Sequence, residues 1–213
     1  MQKSKKDKRK FLAFIQLSML LAIEIIVCFT PLGTLPAVGP LSATLSHVPV
    51  IITAVVLGAK AGSFMGFAFG ACSFIYWSFV NPGVFSFIYT PFYSNGVFSG
   101  NIFSLLICFV PRILIGLVTA LVYKALMRLI KKEIPACIIA GVAGSFINTA
   151  LVLLGIQLFF GEEYFSLISD GASTLSYLLM LTVLTNGIPE ALIGGAAASA
   201  IGLPLKRYSE KLK

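Results

Sequence analysis

The chain has 213 residues, 58% of them apolar and only 11% charged, and its mean hydropathy is +0.96. Soluble domains typically carry about 25% charged and roughly 45–50% apolar residues, so a soluble globular chain and a disordered one are both excluded. A membrane-crossing helix needs about 20 apolar residues, and the roughly 124 present suffice for six.

In chain order, residues 1–10 form a basic tail with Lys3, Lys5, Lys6, Lys8, Arg9 and Lys10. The first apolar run, 11–30, is interrupted only by Glu24. It is long for a signal peptide and lacks a small-x-small cleavage site, so it reads as a retained helix. Residues 31–40 hold three prolines and two glycines and read as a loop or re-entrant segment. Two apolar runs follow, 41–59 and 61–80, separated around Lys60. Residues 81–100 mix Pro82, Gly83, Pro91, Asn95, Gly96 and Gly100 with Phe85, Phe87, Tyr89, Phe92, Tyr93 and Phe98, which suits a structured outer loop able to close over a ligand. A fourth span covers 101–123, broken by Pro111-Arg112, and a fifth covers 134–160 without any charge. A polar patch at 161–173 carries Glu162, Glu163 and Asp170, and the sixth span, 174–205, contains Glu190. A second basic tail closes the chain at 206–213. The reading is an all-α integral membrane protein, one six-helix membrane domain over 11–205.

Charge sets the orientation. With the N-terminus cytoplasmic, fifteen of the sixteen basic residues fall on the inner side, at 1–10, Lys60, 124–133 and 206–213. The outer segments 31–40, 81–100 and 161–173 hold none, and the sixteenth is Arg112 within a span. This is the positive-inside pattern with both termini cytoplasmic. The same distribution speaks against nucleic acid, because the basic clusters flank hydrophobic segments instead of lining one soluble face.

Several chemistries lack their residues. His47 is the only histidine, and Cys28, Cys72, Cys108 and Cys137 stand apart in apolar runs with no C-x-x-C pair. Zinc sites and Ser-His-Asp triads are therefore not expected, and the cysteines read as small buried hydrophobes. No cofactor is expected. The G-x-x-x-x-G-K-[ST] phosphate loop is absent, so energy for uphill movement comes from a gradient or another subunit. The D-G-x-x-A-R motif of phospholipid-synthesising transferases is absent too, which argues against a membrane enzyme.

Small residues suggest close helix packing. Gly58, Gly62, Gly66 and Gly70 recur every four residues, a ladder that lets a second backbone approach, either within the chain or from a partner subunit. Span six repeats the theme from Gly194 to Ala200, and span one offers the pair Ser18 and Ala22.

Charge at membrane depth costs roughly 2.5–3.5 kcal/mol on insertion scales and marks protein interiors or wet cavities. Glu24, Arg112 and Glu190 are the charged residues in the spans. Arg112, Asn148, Asn186 and Glu190 all count to mid-depth on three consecutive helices, with Asn186 and Glu190 on one face. The Arg112 fork suits a carboxylate. Two readings are open: Arg112 and Glu190 form a structural ion pair, or they line a ligand cavity. His47 starts span two near the outer surface, and Glu24 is placed to pair with it or with Arg112.

Four stretches carry a family resemblance: TLSHVPVIITAVVLGAKAGSFMGFAFG (44–70), FVPRILIGLVTALVYK (109–124), AGSFINTALVLLG (143–155) and TNGIPEALIGG (185–195). In order and topology they resemble the substrate-binding S component of energy-coupling factor (ECF) vitamin transporters. The resemblance implies a bacterial plasma-membrane protein that binds a water-soluble vitamin from outside. It also implies partners, a transmembrane coupling subunit and two cytoplasmic ATPase subunits. Ser18 and Ala22 match the family's small-residue spacing for docking the coupling subunit. His47-Val48-Pro49 and the Asn186-x-x-x-Glu190 pattern look most like the pantothenate-type branch. That implies Arg112, Asn148, Asn186, Glu190 and His47 as substrate-binding residues. The alternatives are riboflavin or another vitamin, and a stand-alone secondary transporter that needs no partner. The charge pattern makes a direct prediction. A cysteine introduced at Ser94 reacts with an impermeant maleimide added outside intact cells, and one at Ser4 does not; the reverse pattern would overturn the orientation.

Overall fold

The computed structural model of the chain describes residues 2–33, 44–94, 96–168 and 175–211. Among these residues every regular element is helical, and the only extended pairing is an isolated bridge between Ser94 and Ser99. Helix α1, Gln2–Phe29, takes up the basic tail as well as the first apolar run. It buries Gln16, Leu20 and Glu24 at four-residue spacing. Ser18 and Ala22 face away with Phe14, Met19 and Ile23, so α1 is peripheral.

Five helices are long and apolar enough to cross a bilayer: Asp7–Phe29, Ala59–Val80, Ile102–Leu129, Glu133–Phe159 and Leu175–Lys211. The segment 41–59, which the hydropathy reads as a full span, differs. Residues 34–43 lie outside the described residues, and Thr44–His47 form a turn before helix α2, Val48–Leu57, of 10 residues. At about 1.5 Å per residue α2 is roughly 15 Å long, half of a hydrocarbon core of about 30 Å. The turn is tied down by Leu45 N donating to Gly33 O at 2.9 Å and Val48 N to Leu45 O at 3.0 Å. Pro49 then sits in the first helical turn, where its missing N–H costs nothing. Every residue from Pro49 to Val55 is buried. Apolarity here answers to protein instead of lipid.

Gly58 ends α2 with φ +87°, a conformation that favours glycine, and α3, Ala59–Ile75, follows at once. Helix α4 spans Ile102–Leu129, α5 Glu133–Phe159, and a short α6 Gly161–Ile168. Helices α7 (Leu175–Thr182), α8 (Ile188–Ala197) and α9 (Leu203–Lys211) stack into one rod of 37 residues. The outer patch at 161–173 is thus partly helical, and 169–174 lie outside the described residues.

Wide π turns at Tyr76–Val80, Val183–Gly187 and Ala198–Gly202 interrupt these helices. Each ends two residues before a proline, Pro82, Pro189 and Pro204. Proline cannot donate to the carbonyl four residues back, and the preceding N–H reaches one residue further: Asn81 N to Tyr76 O, Ile188 N to Val183 O and Leu203 N to Ala198 O. Pro111 behaves differently. The sequence reads it as a break, yet α4 runs through it unbroken.

The glycine ladder serves the fold. A side chain at Gly66 would collide with the Arg112 carbonyl, at Gly62 with Ala54 and the Gly116 carbonyl, and at Gly70 with Phe109. Gly62, Gly66 and Gly70 therefore pack α3 onto α2 and α4 and present nothing to a partner subunit, whereas Gly58 serves as the turn. In the rod, Gly194 and Gly195 pack in the same way onto Gly141 of α5. Two apolar clusters result. One surrounds Ile51, Met65, Ile115 and Cys137, and the other surrounds Phe87, Ile107, Ile156 and Phe160.

Candidate functional site: a cavity with buried polar groups

Residues of both clusters, Phe69 from the first and Tyr89, Val152 and Leu153 from the second, line a cavity of about 450 Å³. Arg112, Asn148, Asn186 and Glu190 all lie on its wall. Four of the five residues that the sequence singles out thus meet, from α4, α5, the π turn and α8. The wall also holds Thr44, Ser46, Ser73, Thr149 and Thr182, with Phe69, Tyr76, Trp77, Phe85 and Tyr89 as its aromatic part.

Arg112 is 7% exposed. In an ordinary helix the Ile107 carbonyl would accept from the N–H of residue 111, and Pro111 has none. Arg112 Nη1 donates to that carbonyl at 2.7 Å. The guanidinium lies 5.5 Å from the Phe69 ring centroid and 5.1 Å from that of Tyr89, distances at which cation–π attraction operates. Its Nε is buried and has no partner among the described residues. Burial raises the Tyr89 phenol above its ordinary pKa, and the Arg112 charge opposes that shift.

Glu190 does not pair with Arg112. Its Oε1 accepts from Thr44 N at 2.6 Å and from Thr44 Oγ1 at 3.3 Å. The ion pair present among the described residues is Arg207–Glu133, at the exposed end of the bundle. His47 is 1% exposed, buried within the protein. Its Nε2 is 3.1 Å from the Glu190 backbone oxygen, an acceptor, so Nε2 carries the hydrogen. His47 is not on the cavity wall and supports the Glu190 backbone from behind. Short α2 explains both contacts, because its N-terminal turn stops beside Glu190 inside the bundle.

Glu24 also departs from expectation. It is fully buried and contacts neither His47 nor Arg112; Cys28 Sγ donates to its Oε1 at 3.2 Å. The four cysteines are free thiols, as the sequence reads them, but Cys28 lies on the cavity wall.

The outer loop divides its aromatics. Phe85 and Tyr89 face the cavity, and Trp77 stacks on Tyr89 with centroids 5.6 Å apart. Phe87 anchors the loop by packing on Phe98 and Phe160 at 5.7 and 5.4 Å. Ser104 Oγ donates to the Phe87 carbonyl at 2.6 Å and accepts from Asn101 N at 3.1 Å in the cap of α4. Phe92 is exposed, and Tyr93 and Phe98 join the apolar cluster. Thr44, Phe69, Trp77 and the Ile107 carbonyl are site groups that the sequence reading passed over. Only Pro111 signals one of them, the carbonyl it leaves free. A larger, more open hollow of about 660 Å³ beside Gln157, Glu162 and Leu175 gathers none of these buried polar groups.

Sequence comparison gives the class of protein. The chain matches the family described as "ECF transporter, substrate-specific component" over residues 12–205. It belongs to that family and is a multi-pass protein of the bacterial plasma membrane. It is also 35% identical over 162 residues to the pantothenic acid transporter PanT of Lactococcus lactis subsp. cremoris, covering 76% of each chain.

The Thr44–Glu190 contact yields a stability prediction. Glu190→Ala leaves the Thr44 N–H without an acceptor, which costs about 1–3 kcal/mol. Glu190→Gln keeps an acceptor oxygen and loses less. Thermal unfolding of the ligand-free protein in detergent is expected to rank them wild type, Gln, Ala; equal midpoints for all three would remove the contact.

Proposed function

We propose that this chain captures pantothenate from the outer side of the membrane and passes it inward together with a transmembrane coupling subunit and two cytoplasmic ATPase subunits. The observation that carries the reading is the convergence of Arg112, Asn148, Asn186 and Glu190 on one cavity. Its volume of about 450 Å³ falls within the roughly 300–1,000 Å³ typical of small-molecule sites. The family and the pantothenic acid transporter relative support the same conclusion.

Pantothenate is a flexible chain with a carboxylate at one end, an amide in the middle and two hydroxyls at the other. Arg112 takes the carboxylate, using donors that Ile107 leaves free. Asn148, whose Oδ1 has no partner among the described residues, accepts from the amide N–H or a hydroxyl. Asn186 and Glu190 serve the remaining polar groups, with His47 holding the Glu190 backbone. Phe69, Phe85 and Tyr89 cover the methylenes and exclude water. The chain crosses the membrane six times, α2 making up only part of the second crossing, and both termini are cytoplasmic. Ser18 and Ala22, exposed on peripheral α1, offer the coupling subunit a small-residue contact. It has no catalytic activity of its own.

Losing a hydrogen bond to a charged group costs about 1.5–3 kcal/mol, or roughly 10- to 150-fold in affinity. Arg112→Ala and Asn148→Ala are expected to weaken pantothenate binding by that order in calorimetry on the purified protein, without loss of expression. The double variant Arg112→Met with Glu190→Gln removes both charges of the cavity together. If it binds pantothenate as tightly as the parent, the site lies elsewhere.

A further inference from the structure

We infer that Pro111 is a positioning residue for substrate: by leaving the Ile107 carbonyl without its helical donor, it gives Arg112 an anchor that aims the guanidinium at the anionic end of the ligand. The inference rests on the reading of the cavity under Proposed function and concerns a residue that touches no ligand.

Its support is geometric. Side chains on a helix lean toward its N-terminus, so Arg112 naturally reaches back along α4, and Ile107 O is where its Nη1 ends, at 2.7 Å. A non-proline residue at 111 would supply an N–H to that same oxygen, as in any helix. The backbone donor and the guanidinium would then compete for one carbonyl. With proline the competition is absent, and α4 stays continuous because the arginine satisfies the released oxygen. Phe69 and Tyr89 both place their rings within cation–π distance of the guanidinium. Gly66 lets α3 lie directly on the Arg112 backbone. The charge is thus fixed from its backbone to its tip, and the buried, unpartnered Nε is left for an acceptor.

Two other prolines within the helical rod differ. Ahead of Pro189 and Pro204 a π turn carries the preceding N–H to the carbonyl five residues back. At Pro111 no such turn forms, and a side chain takes the place of the backbone donor.

The test compares pantothenate with pantothenol, in which a neutral CH2OH replaces the carboxylate, by calorimetry on wild type, Pro111→Ala and Pro204→Ala. Alanine favours the helix, so Pro111→Ala retains α4. Wild type is expected to prefer pantothenate. Pro111→Ala is expected to bind pantothenate about 10-fold more weakly and pantothenol within about twofold of wild type, and Pro204→Ala is expected to keep the wild-type preference. Retention of the full preference by Pro111→Ala, or an equal loss for both ligands, would overturn the positioning role. If wild type shows no preference for the anion, the assignment of Arg112 to a carboxylate fails instead.

Discussion

A guanidinium at bilayer depth is stable only where protein replaces its water. Around Arg112 the replacement consists of one carbonyl and two aromatic faces, and neighbouring elements are arranged to supply them. Pro111 releases the Ile107 oxygen, Gly66 admits α3 so that Phe69 comes alongside, and the outer loop brings Tyr89. These partners leave the charge incompletely satisfied. Leaving a buried charge without a partner is costly, which is why the proposed ligand group at this point is an anion.

The second acid–base element is kept apart from the first. Glu190 takes its hydrogen bonds from Thr44 and leaves the Arg112 charge to the cavity. That separation depends on α2 being short. A full-length second span would carry its N-terminal turn to the membrane surface, and Thr44 and His47 would be far from Glu190. Irregular backbone at membrane depth is tolerated only where protein or a wet cavity surrounds it, and Thr44–His47 satisfy that condition. The half-helix is therefore part of the site's construction.

Much of this was legible in the sequence, and for identifiable reasons. Apolar runs are long enough to count, and the cost of charge in lipid singles out Arg112 and Glu190 before any coordinates. The amides at Asn148 and Asn186 follow from the same argument, since polar groups at depth need partners. Hydropathy could not reveal the length of α2, because a segment buried in protein and one facing lipid have the same composition. The partner of Glu24 was equally hidden. Cys28 lies one turn along the same helix, but nothing in the sequence pattern says that its thiol turns toward the carboxylate. The glycine ladder was visible as a ladder, and only the fold could say that α2 and α4 are what it meets.

Trp77 is the single tryptophan of the chain and lies on the cavity wall, stacked on Tyr89. Its fluorescence therefore reports on the cavity directly. Titrating the purified protein with pantothenate is expected to change that emission saturably at one ligand per chain. Emission that stays unchanged with pantothenate, while riboflavin or another water-soluble vitamin changes it saturably, would contradict the account.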